Sequence, residues 1–331
     1  MSCRITGEWA INGIKTVILE NKLIKLTFLV DFGCRIHEII SKTTDKDFLW
    51  HNPRVEVRRP VFGANIDDWL TGGLDEAIPT GHPCKVNGEE LPYLGELWSL
   101  RWDYSIIKDT SDEVEVYFSR KTIIFPLKVE KWVSLKKGQK IINFKHRISN
   151  LSNKKIPFLW GIHPCFSVNE NTRIDIPART VLIEESIPDD WLGKKGDKYI
   201  WPYAKDKNGN KIDMREVRSF GSNTCEFQFA TDLEEGWLAL TDQKMNEGIG
   251  LVFPKDIFSV IWLWLSYGGW RSQYLAAVEA WTGYPAKLSE AIEIGRFSEL
   301  KANEVINCNT KIIIFNKKGE VREIKNDGTV L

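Results

Sequence analysis

Short segments in which apolar and polar residues alternate dominate this chain. Residues 113–118 (Glu-Val-Glu-Val-Tyr-Phe) alternate cleanly, as in a strand with one face in a core and one in water. Residues 23–28 and 36–40 predict an opening pair of strands around a turn at Asp31-Phe32-Gly33. Similar runs occupy residues 123–135, 140–148, 156–160, 236–240, 249–253, 257–265, 274–280 and 305–315. So many strands at this spacing predict an all-β fold, a large antiparallel β-sandwich, and not βαβ units.

Helical patterns are few. Residues 287–294, followed by Gly295, predict one short helix with a glycine just past its C-terminal end. No glycine-rich phosphate-binding loop follows a strand, so a nucleotide site of the Rossmann or Walker kind is not expected. The chain shows no repeat and no linker-like change of composition, which predicts a single domain over residues 1–331. Within it, residues 316–331 are predicted to form an added edge hairpin or tail, and the polar stretch 184–224 to form long loops that could cover a site.

Composition narrows the possible partners. Lys plus Arg and Asp plus Glu both count 45, so the net charge is zero. This argues against a nucleic-acid partner and against a polybasic membrane surface. The 14 Trp suit a wide core and also the stacking of sugar rings, which tilts the expectation toward a carbohydrate ligand.

Localisation is predicted from segments that the sequence lacks. The first residues carry no apolar signal region, and the longest apolar run, residues 258–265, is too short to span a bilayer. The six Cys are scattered, without a CxxC pair or zinc-ligand spacing. These features predict a cytoplasmic protein with reduced thiols.

Polar residues that could bind a ligand or take part in catalysis lie in four segments, residues 72–84, 91–98, 158–166 and 276–285. His163 ends an apolar strand directly before Pro164, where an imidazole either faces a concave surface or packs in the core. Glu279 follows the apolar run 275–278. A carboxylate there is costly unless it works in catalysis or forms an ion pair, for which Arg271 and Arg296 are the available cations.

The four segments, in this order, resemble the aldose 1-epimerase (galactose mutarotase) family. Residues 160–166 (WGIHPCF) are similar to the strand-end His-Pro-Tyr-Phe of that family, and residues 278–292 (VEAWTGYPAKLSEAI) to its Glu-Pro stretch with Thr-Gly and a short helix. Residues 72–80 (GGLDEAIPT) and 91–102 (LPYLGELWSLRW) resemble the Gly-Gly-x-Asp-Glu-x-x-Pro-Thr and His-Gly-Glu-x-Trp stretches of bacterial mutarotase-like proteins. The resemblance extends over roughly residues 20 to 315.

The resemblance implies a fold, a reaction and two catalytic roles. The fold would be the galactose mutarotase-like supersandwich, which holds a small sugar in a concave face. The reaction interconverts the α and β anomers of a free aldose by opening its ring. It needs one group to take the proton of the anomeric hydroxyl and another to protonate the ring oxygen. By resemblance, Glu279 would be the general base and His163 the general acid, with no metal or organic cofactor.

One departure from the family pattern concerns a second histidine. The chain has Leu94-Gly95-Glu96 where the family has His-Gly-Glu, so the histidine that would hydrogen-bond the sugar is replaced by Leu94. His82, twelve residues earlier, is the candidate substitute if the chain folds back over the sheet. The alternative is that His82 is a plain loop histidine.

Further candidates for contact with a sugar follow from strand parity and position. Glu96 and Trp98 share a parity, so both could line one face, with Trp98 as a stacking platform. Asp75 is a candidate, but adjacent Glu76 would face the other way on a strand. Arg59, beside Arg58, and Trp281 complete the set. The candidates for contact with a sugar are therefore Glu96, Trp98, Asp75, Arg59, Trp281 and His82.

Two other classes of function remain open from sequence. A sugar-binding protein with little or no catalysis is suggested by Leu94. A carbohydrate lyase or hydrolase on the same scaffold is also possible, and hydrolysis would require a carboxylate pair such as Glu279 and Glu96. The fold alone does not separate these classes.

Overall fold

The computed structural model describes residues 2–331 and consists mainly of antiparallel strands, which confirms the predicted all-β class. The first fourteen strands are β1 Arg4–Thr6, β2 Ala10–Ile11, β3 Ile14–Glu20, β4 Ile24–Leu29, β5 Arg35–Ser41, β6 Lys46–Asp47, β7 Gly73–Ala77, β8 Cys84–Val86, β9 Glu89–Leu91, β10 Asp103–Asp109, β11 Glu113–Lys121, β12 Leu127–Lys136, β13 Ile141–Asn150 and β14 Ile156–Phe158. The others are β15 Gly161–Phe166, β16 Thr172–Asp175, β17 Thr180–Ile187, β18 Lys198–Ile200, β19 Tyr203–Lys205, β20 Lys211–Asp213, β21 Thr224–Thr231, β22 Trp237–Asp242, β23 Glu247–Val252, β24 Val260–Tyr267, β25 Tyr274–Trp281, β26 Ser298–Leu300 and β27 Val305–Asn316.

Helices are short. They are α1 Ile66–Trp69 and α2 Leu288–Glu293, with 3-10 turns at Leu97–Ser99 and Phe220–Ser222. Helix α2 lies within the predicted range, and Gly295 follows it with a φ of +67°, the left-handed conformation that glycine adopts at little cost. Over residues 2–331, no helix combines the length and the apolar character that crossing a membrane requires.

The chain divides into two compact units. Unit 1 comprises residues 1–163 and 282–311, and unit 2 comprises residues 164–281 and 312–331. The predicted single domain over residues 1–331 is a statement about independent folding, which this division does not test, so it stays a prediction.

Unit 1 is built from two series of antiparallel strands. One has the order β1-β3-β4-β5-β7, and the other has the order β10-β11-β12-β13. The alternating sequence of β11 places Val114, Val116 and Phe118 in the core with no exposed surface, while the intervening residues are partly exposed. Strands β4 and β5 form the predicted opening hairpin.

Strand β12 begins later than the pattern of alternation predicts. Residues 123–126 are not in a strand, because the backbone N–H groups of residues 123, 124 and 125 donate to the side chain of Glu96 and Pro126 has no N–H. Regular pairing of β12 therefore starts at Leu127, opposite Asn150 of β13.

Unit 2 contains the series β25-β24-β21-β17-β18-β19-β20 and the series β23-β22-β16. Strands β24 and β25 are buried on both faces, so their sequences are nearly continuous apolar runs instead of clean alternations. Their central side chains, such as Ile261, Leu263 and Val278, have no exposed surface.

The range predicted to form long loops, residues 184–224, is more ordered than the sequence indicates. The range 184–224 contains the short strands β18, β19 and β20, of which β18 extends the sheet from β17. After β27, residues 317–331 pack on unit 2: the N–H of Gly319 donates to Gln243 and the N–H of Val321 donates to Asp175. A single bridge joins Ile324 and Val330.

Candidate active site

Glu279 lies in the middle of strand β25 in unit 2. Its nearest neighbour across the ladder is Trp262 of β24, and only 1% of the residue is exposed. The indole N–H of Trp281 donates a hydrogen bond to Glu279 Oε2, with a donor–acceptor distance of 2.7 Å. Because residues two apart on a strand share a face, Trp281 reaches this carboxylate without any distortion of the strand. Glu279 is therefore a buried carboxylate held by a specific donor.

Aromatic side chains surround Glu279 on its face of the sheet. Trp262 is its partner in register, and Phe229 pairs with Trp262 on the next strand, β21. One step along the same strands, Trp264 pairs with Phe227, so all four rings share the face of Glu279. Trp264 is the part-exposed member. Such a face can stack on the apolar side of a pyranose ring.

The sequence analysis did not identify these four rings as candidates for contact with a sugar. The pattern that could have found them is present: Trp262 and Trp264, and likewise Phe227 and Phe229, are spaced two apart and so lie on one face of a strand. In a strand buried on both faces, however, the apolar residues between them hide the alternation.

His163 lies in β15 and is 7% exposed. It is the last residue of unit 1 before the chain enters unit 2 at Pro164. The approach to β15 is fixed by Thr282: the N–H of Trp160 donates to the Thr282 hydroxyl at 2.9 Å, and the N–H of Thr282 donates to the Trp160 carbonyl at 3.0 Å. The role of His163 as general acid stays a prediction.

His82 is close to the segment in which the family histidine is replaced. The backbone N–H of Leu94 donates to the carbonyl of Gly81 at 2.6 Å, so residues 92–96 run beside residues 78–82. His82 Nε2 lies 3.3 Å from the Tyr93 hydroxyl, and the two rings meet edge to face at 4.8 Å. His82 and Leu94 therefore lie on adjacent segments, and Leu94 itself is buried with a φ of +53°. Contact between His82 and a sugar stays a prediction.

Glu96 has no exposed surface and supports a loop in unit 1. Its two carboxylate oxygens accept hydrogen bonds from the N–H groups of Ile123, Ile124 and Phe125 at 2.5, 2.7 and 3.1 Å. Burial raises the pKa of Glu96, and the three backbone donors only partly offset that effect. These donors take three of the about four acceptor positions of the carboxylate. Contact between Glu96 and a sugar stays a prediction.

Trp98 is packed as a core residue of unit 1. Only 1% of it is exposed, its indole N–H donates to the carbonyl of Tyr93, and its ring lies 6.2 Å from that of Phe32. Its backbone also lies against Gly33, where any Cβ would come within 2.7 Å of Trp98 main-chain atoms, so a glycine is required there. Stacking of Trp98 on a sugar stays a prediction.

Asp75 and Glu76 point to opposite faces of β7, as their adjacent positions predict, and each is paired. Arg35 donates from Nε and Nη2 to the two oxygens of Asp75, at 2.8 and 2.6 Å. Arg35 has no exposed surface and also donates to the hydroxyl of Thr71. This bidentate geometry makes Asp75 one half of a buried ion pair. Its contact with a sugar stays a prediction.

Glu76 belongs to a buried cluster of charges that the sequence analysis did not identify. Lys131 Nζ lies 2.9 Å from Glu76 Oε1, and His146 Nδ1 lies 3.5 Å from Glu76 Oε2. His146 also meets the Thr310 hydroxyl at 3.1 Å. Burial alone raises the pKa of Glu76, but the charge of Lys131 and the contact with His146 outweigh it and hold that pKa well below its ordinary value. Burial lowers the pKa of Lys131, but the Cys34 thiol and Glu76 raise it overall.

Arg59 lies at the surface of unit 1. Its Nη2 is 2.9 Å from Asp31 Oδ2, and Arg101 Nε is 3.2 Å from Asp31 Oδ1, so two largely exposed arginines share one acidic partner. Arg58 stacks over the ring of Trp69 at 4.3 Å. Contact between Arg59 and a sugar stays a prediction.

A second buried carboxylate in unit 2 lies on the face opposite to Glu279. Glu226 of β21 pairs with Leu265 and so points away from the face of Phe227 and Trp264. It accepts a hydrogen bond from the indole N–H of Trp191 at 2.9 Å and forms an ion pair with Arg218. Burial raises the pKa of Glu226, an effect that Arg218 only partly offsets. Trp191 and Arg218 both come from the range 184–224, so these contacts anchor that range to the sheet.

No family model matches the sequence. Among solved structures, a candidate aldose 1-epimerase from Klebsiella pneumoniae superposes with a TM-score of 0.75 at 13% identity, over 95% of this chain and 83% of the other. A candidate aldose 1-epimerase from Escherichia coli K12 gives 0.64 at 14% identity, over 92% and 100%. A galactose mutarotase related enzyme from Lactobacillus acidophilus gives 0.62 at 16% identity, over 93% and 100%.

These likenesses show that the chain has the galactose mutarotase-like fold, as the resemblance in the sequence implied. Because the identities are low, the shared feature is the fold, and the chemistry of the site has to be argued from this chain's own residues.

Proposed function

We propose that this chain is an isomerase of the aldose 1-epimerase type, which accelerates the interconversion of the α and β anomers of a free sugar. The observation that carries the proposal is the environment of Glu279: a buried carboxylate, held by an indole N–H, on a sheet face lined with aromatic rings in a galactose mutarotase-like fold. A carboxylate in such a place is costly for the fold unless it has work to do.

The proposed reaction divides between two residues. Glu279 takes the proton from the anomeric hydroxyl while His163 gives a proton to the ring oxygen, so that the C1–O5 bond breaks and an open-chain aldehyde forms. Rotation about the C1–C2 bond turns the other face of the aldehyde toward O5. His163 then takes back its proton as O5 attacks C1, and Glu279 returns its proton to the anomeric oxygen. The proposal requires both side chains to reach one sugar.

His82 is proposed to replace the family histidine at the sugar. Its pairing with Tyr93 supports this role, because the Tyr93 hydroxyl fixes the orientation of the imidazole, and the main-chain contact of Leu94 with Gly81 holds the two segments side by side. A hydrogen bond from His82 to the sugar would strengthen as negative charge develops on oxygen in the transition state.

The alternative of a hydrolase with Glu96 as second carboxylate is disfavoured by the three backbone donors that already occupy Glu96. A sugar-binding protein without catalysis is the alternative that one observation favours: Leu94, apolar and buried, stands where the family has a histidine.

Polarimetry of freshly dissolved α-D-glucose and α-D-galactose tests the proposal. We expect the wild-type chain to accelerate mutarotation, and Glu279→Gln and His163→Asn each to lower kcat by about 10²- to 10⁴-fold, the usual contribution of a general acid or base. His82→Ala should lower kcat/KM by a smaller factor, on the order of 10-fold.

The matched control is Glu226→Gln, since Glu226 is also buried in unit 2 and also accepts an indole N–H, but on the opposite face of the sheet. It should keep the wild-type rate. Sugar binding detected by calorimetry without any acceleration of mutarotation would instead support the non-catalytic binding protein. The absence of both binding and acceleration would refute the proposal.

A further inference from the structure

The indole of Trp281 is fixed in place by its own neighbours. It has no exposed surface and lies parallel to the ring of Trp262, with centroids 3.7 Å apart and planes inclined by 9°. Trp262 in turn meets the edges of Phe227 and Phe229 at 5.6 and 5.4 Å. Rotation of the indole about its side-chain torsions would break this stack, so the direction of its N–H is set by packing.

That fixed N–H is directed at the proposed base. The hydrogen bond to Glu279 Oε2 is 2.7 Å long, which is within the range of bonds to a charged acceptor. A donor of this kind restricts the torsion of the carboxylate and favours its ionised form over its neutral form. Both effects are useful to a general base, which has to be unprotonated and correctly oriented when the sugar arrives.

We propose that Trp281 is the positioning residue for Glu279: its indole N–H orients the carboxylate, while the stack on Trp262 keeps the indole in place. The inference rests on the proposed function for its catalytic meaning. It gives Trp281 a role through Glu279, in addition to the contact with sugar that its sequence position suggests.

The test substitution is Trp281→Phe, which keeps an aromatic ring against Trp262 and removes the N–H. We expect kcat for mutarotation to fall about 10-fold with KM changed less than about 2-fold, because binding surface is kept and the base is loosened. The acid limb of the profile of kcat/KM against pH should move up by about 1 pH unit, since loss of a donor favours the protonated carboxyl.

The matched control is Trp264→Phe, which lies on the same face of β24 and is paired with Ala277. It should alter KM, if anything, and leave the acid limb in place. A Trp281→Phe enzyme whose profile coincides with that of the wild type would overturn the inference, as would the same displacement of the acid limb in both variants.

Nuclear magnetic resonance separates a failure of this inference from a failure of the proposed function. With Cδ-labelled glutamate, the Glu279 carboxyl resonance, assigned by its loss in Glu279→Gln, should titrate at higher pH in Trp281→Phe whether or not the chain is an isomerase. In the folded wild type, the Trp281 indole ¹H resonance should move with pH at the midpoint of Glu279, which needs no variant to fold. An indole resonance that does not follow Glu279, or an unchanged carboxyl titration, would overturn the positioning role.

Discussion

Substitution of Lys131 by Met tests whether the buried charge cluster of unit 1 depends on its cation. Lys131 lies at a core position of β12 between Val129 and Val133, and its side chain is 3% exposed. Its ammonium donates to Glu76 at 2.9 Å and to the carbonyl of Cys34 at 3.3 Å. Met has a similar length and no charge, so it fills the space and leaves the carboxylate of Glu76 buried without its ammonium partner.

The expected cost follows from that uncompensated charge. Removal of one member of a buried ion pair typically lowers the free energy of unfolding by about 3–5 kcal/mol, which is a large part of the ~5–15 kcal/mol that stabilises a natural protein. The contact between Lys131 and the ring of Trp102, at 4.8 Å, adds a smaller loss. The double variant Lys131→Met with Glu76→Leu removes both charges, so it should recover most of the loss.

Urea unfolding followed by Trp fluorescence and by far-ultraviolet circular dichroism measures these free energies. Agreement of the two curves establishes that a single transition is being compared, which is necessary in a chain with two compact units. The control is Lys128→Met on the same strand: Lys128 pairs with Glu130 at 2.8 Å but is one-third exposed, and its loss should cost less than about 1 kcal/mol.

Two results would contradict the role of the unpaired charge. A cost below about 1 kcal/mol for Lys131→Met would show that Glu76 is not a buried anion that needs its cation. A double variant no more stable than the single variant would show that the loss came from packing and not from the unpaired charge, since the coupling between the two substitutions would then be absent.

Two further predictions concern pH and the loop that Glu96 supports. The folded state lowers the pKa of Glu76, so the ionised carboxylate stabilises the fold above its unfolded pKa of roughly 4.3, and this stabilisation is lost as pH falls from about 5 through the folded pKa. The difference in the free energy of unfolding between wild type and Glu76→Gln should therefore shrink over that range. A constant difference from pH 6 to pH 3 would contradict this. Glu96→Gln leaves one acceptor oxygen for the N–H donors of residues 123–125, so it should lower the free energy of unfolding by about 1–3 kcal/mol and speed hydrogen exchange in those amides, as measured by mass spectrometry. Exchange in those amides that is unchanged, as it should be in β11, would show that the carboxylate does not hold the loop.

The strands could be predicted from sequence where one face is buried and the other is solvated. The hairpin of β4 and β5 and the strands β11 and β13 lie where alternation indicates them. The prediction was wrong at residues 123–126, where the apolar run suggests a strand but Glu96, 27 residues or more away in sequence, takes the backbone donors instead. A local pattern contains no information about such a distant acceptor.

The candidate site was predictable in part, because a polar residue that interrupts a local apolar pattern is visible in the sequence. Glu279 stood out because a carboxylate interrupts an apolar run, and His163 because of its place before Pro164. The buried cluster offered a comparable pattern, since Lys131 and His146 interrupt apolar alternations on neighbouring strands and are partners in register. The sequence around Lys131 or His146 does not show that Glu76 would be their partner, because Glu76 lies on a distant segment that only the fold brings close to them.

The all-β class, the approximate extent of most strands and the presence of a carboxylate in an apolar strand can be read from the residues alone, because they depend on the period-2 alternation of neighbouring side chains. The partner of each polar side chain, in contrast, follows from the folded arrangement: Trp281 for Glu279, Arg35 for Asp75, and the backbone of residues 123–125 for Glu96. The physical reason is that a buried polar group must find its partner wherever the fold brings one within about 3 Å, and that distance is set by strand register and packing, which no single segment encodes.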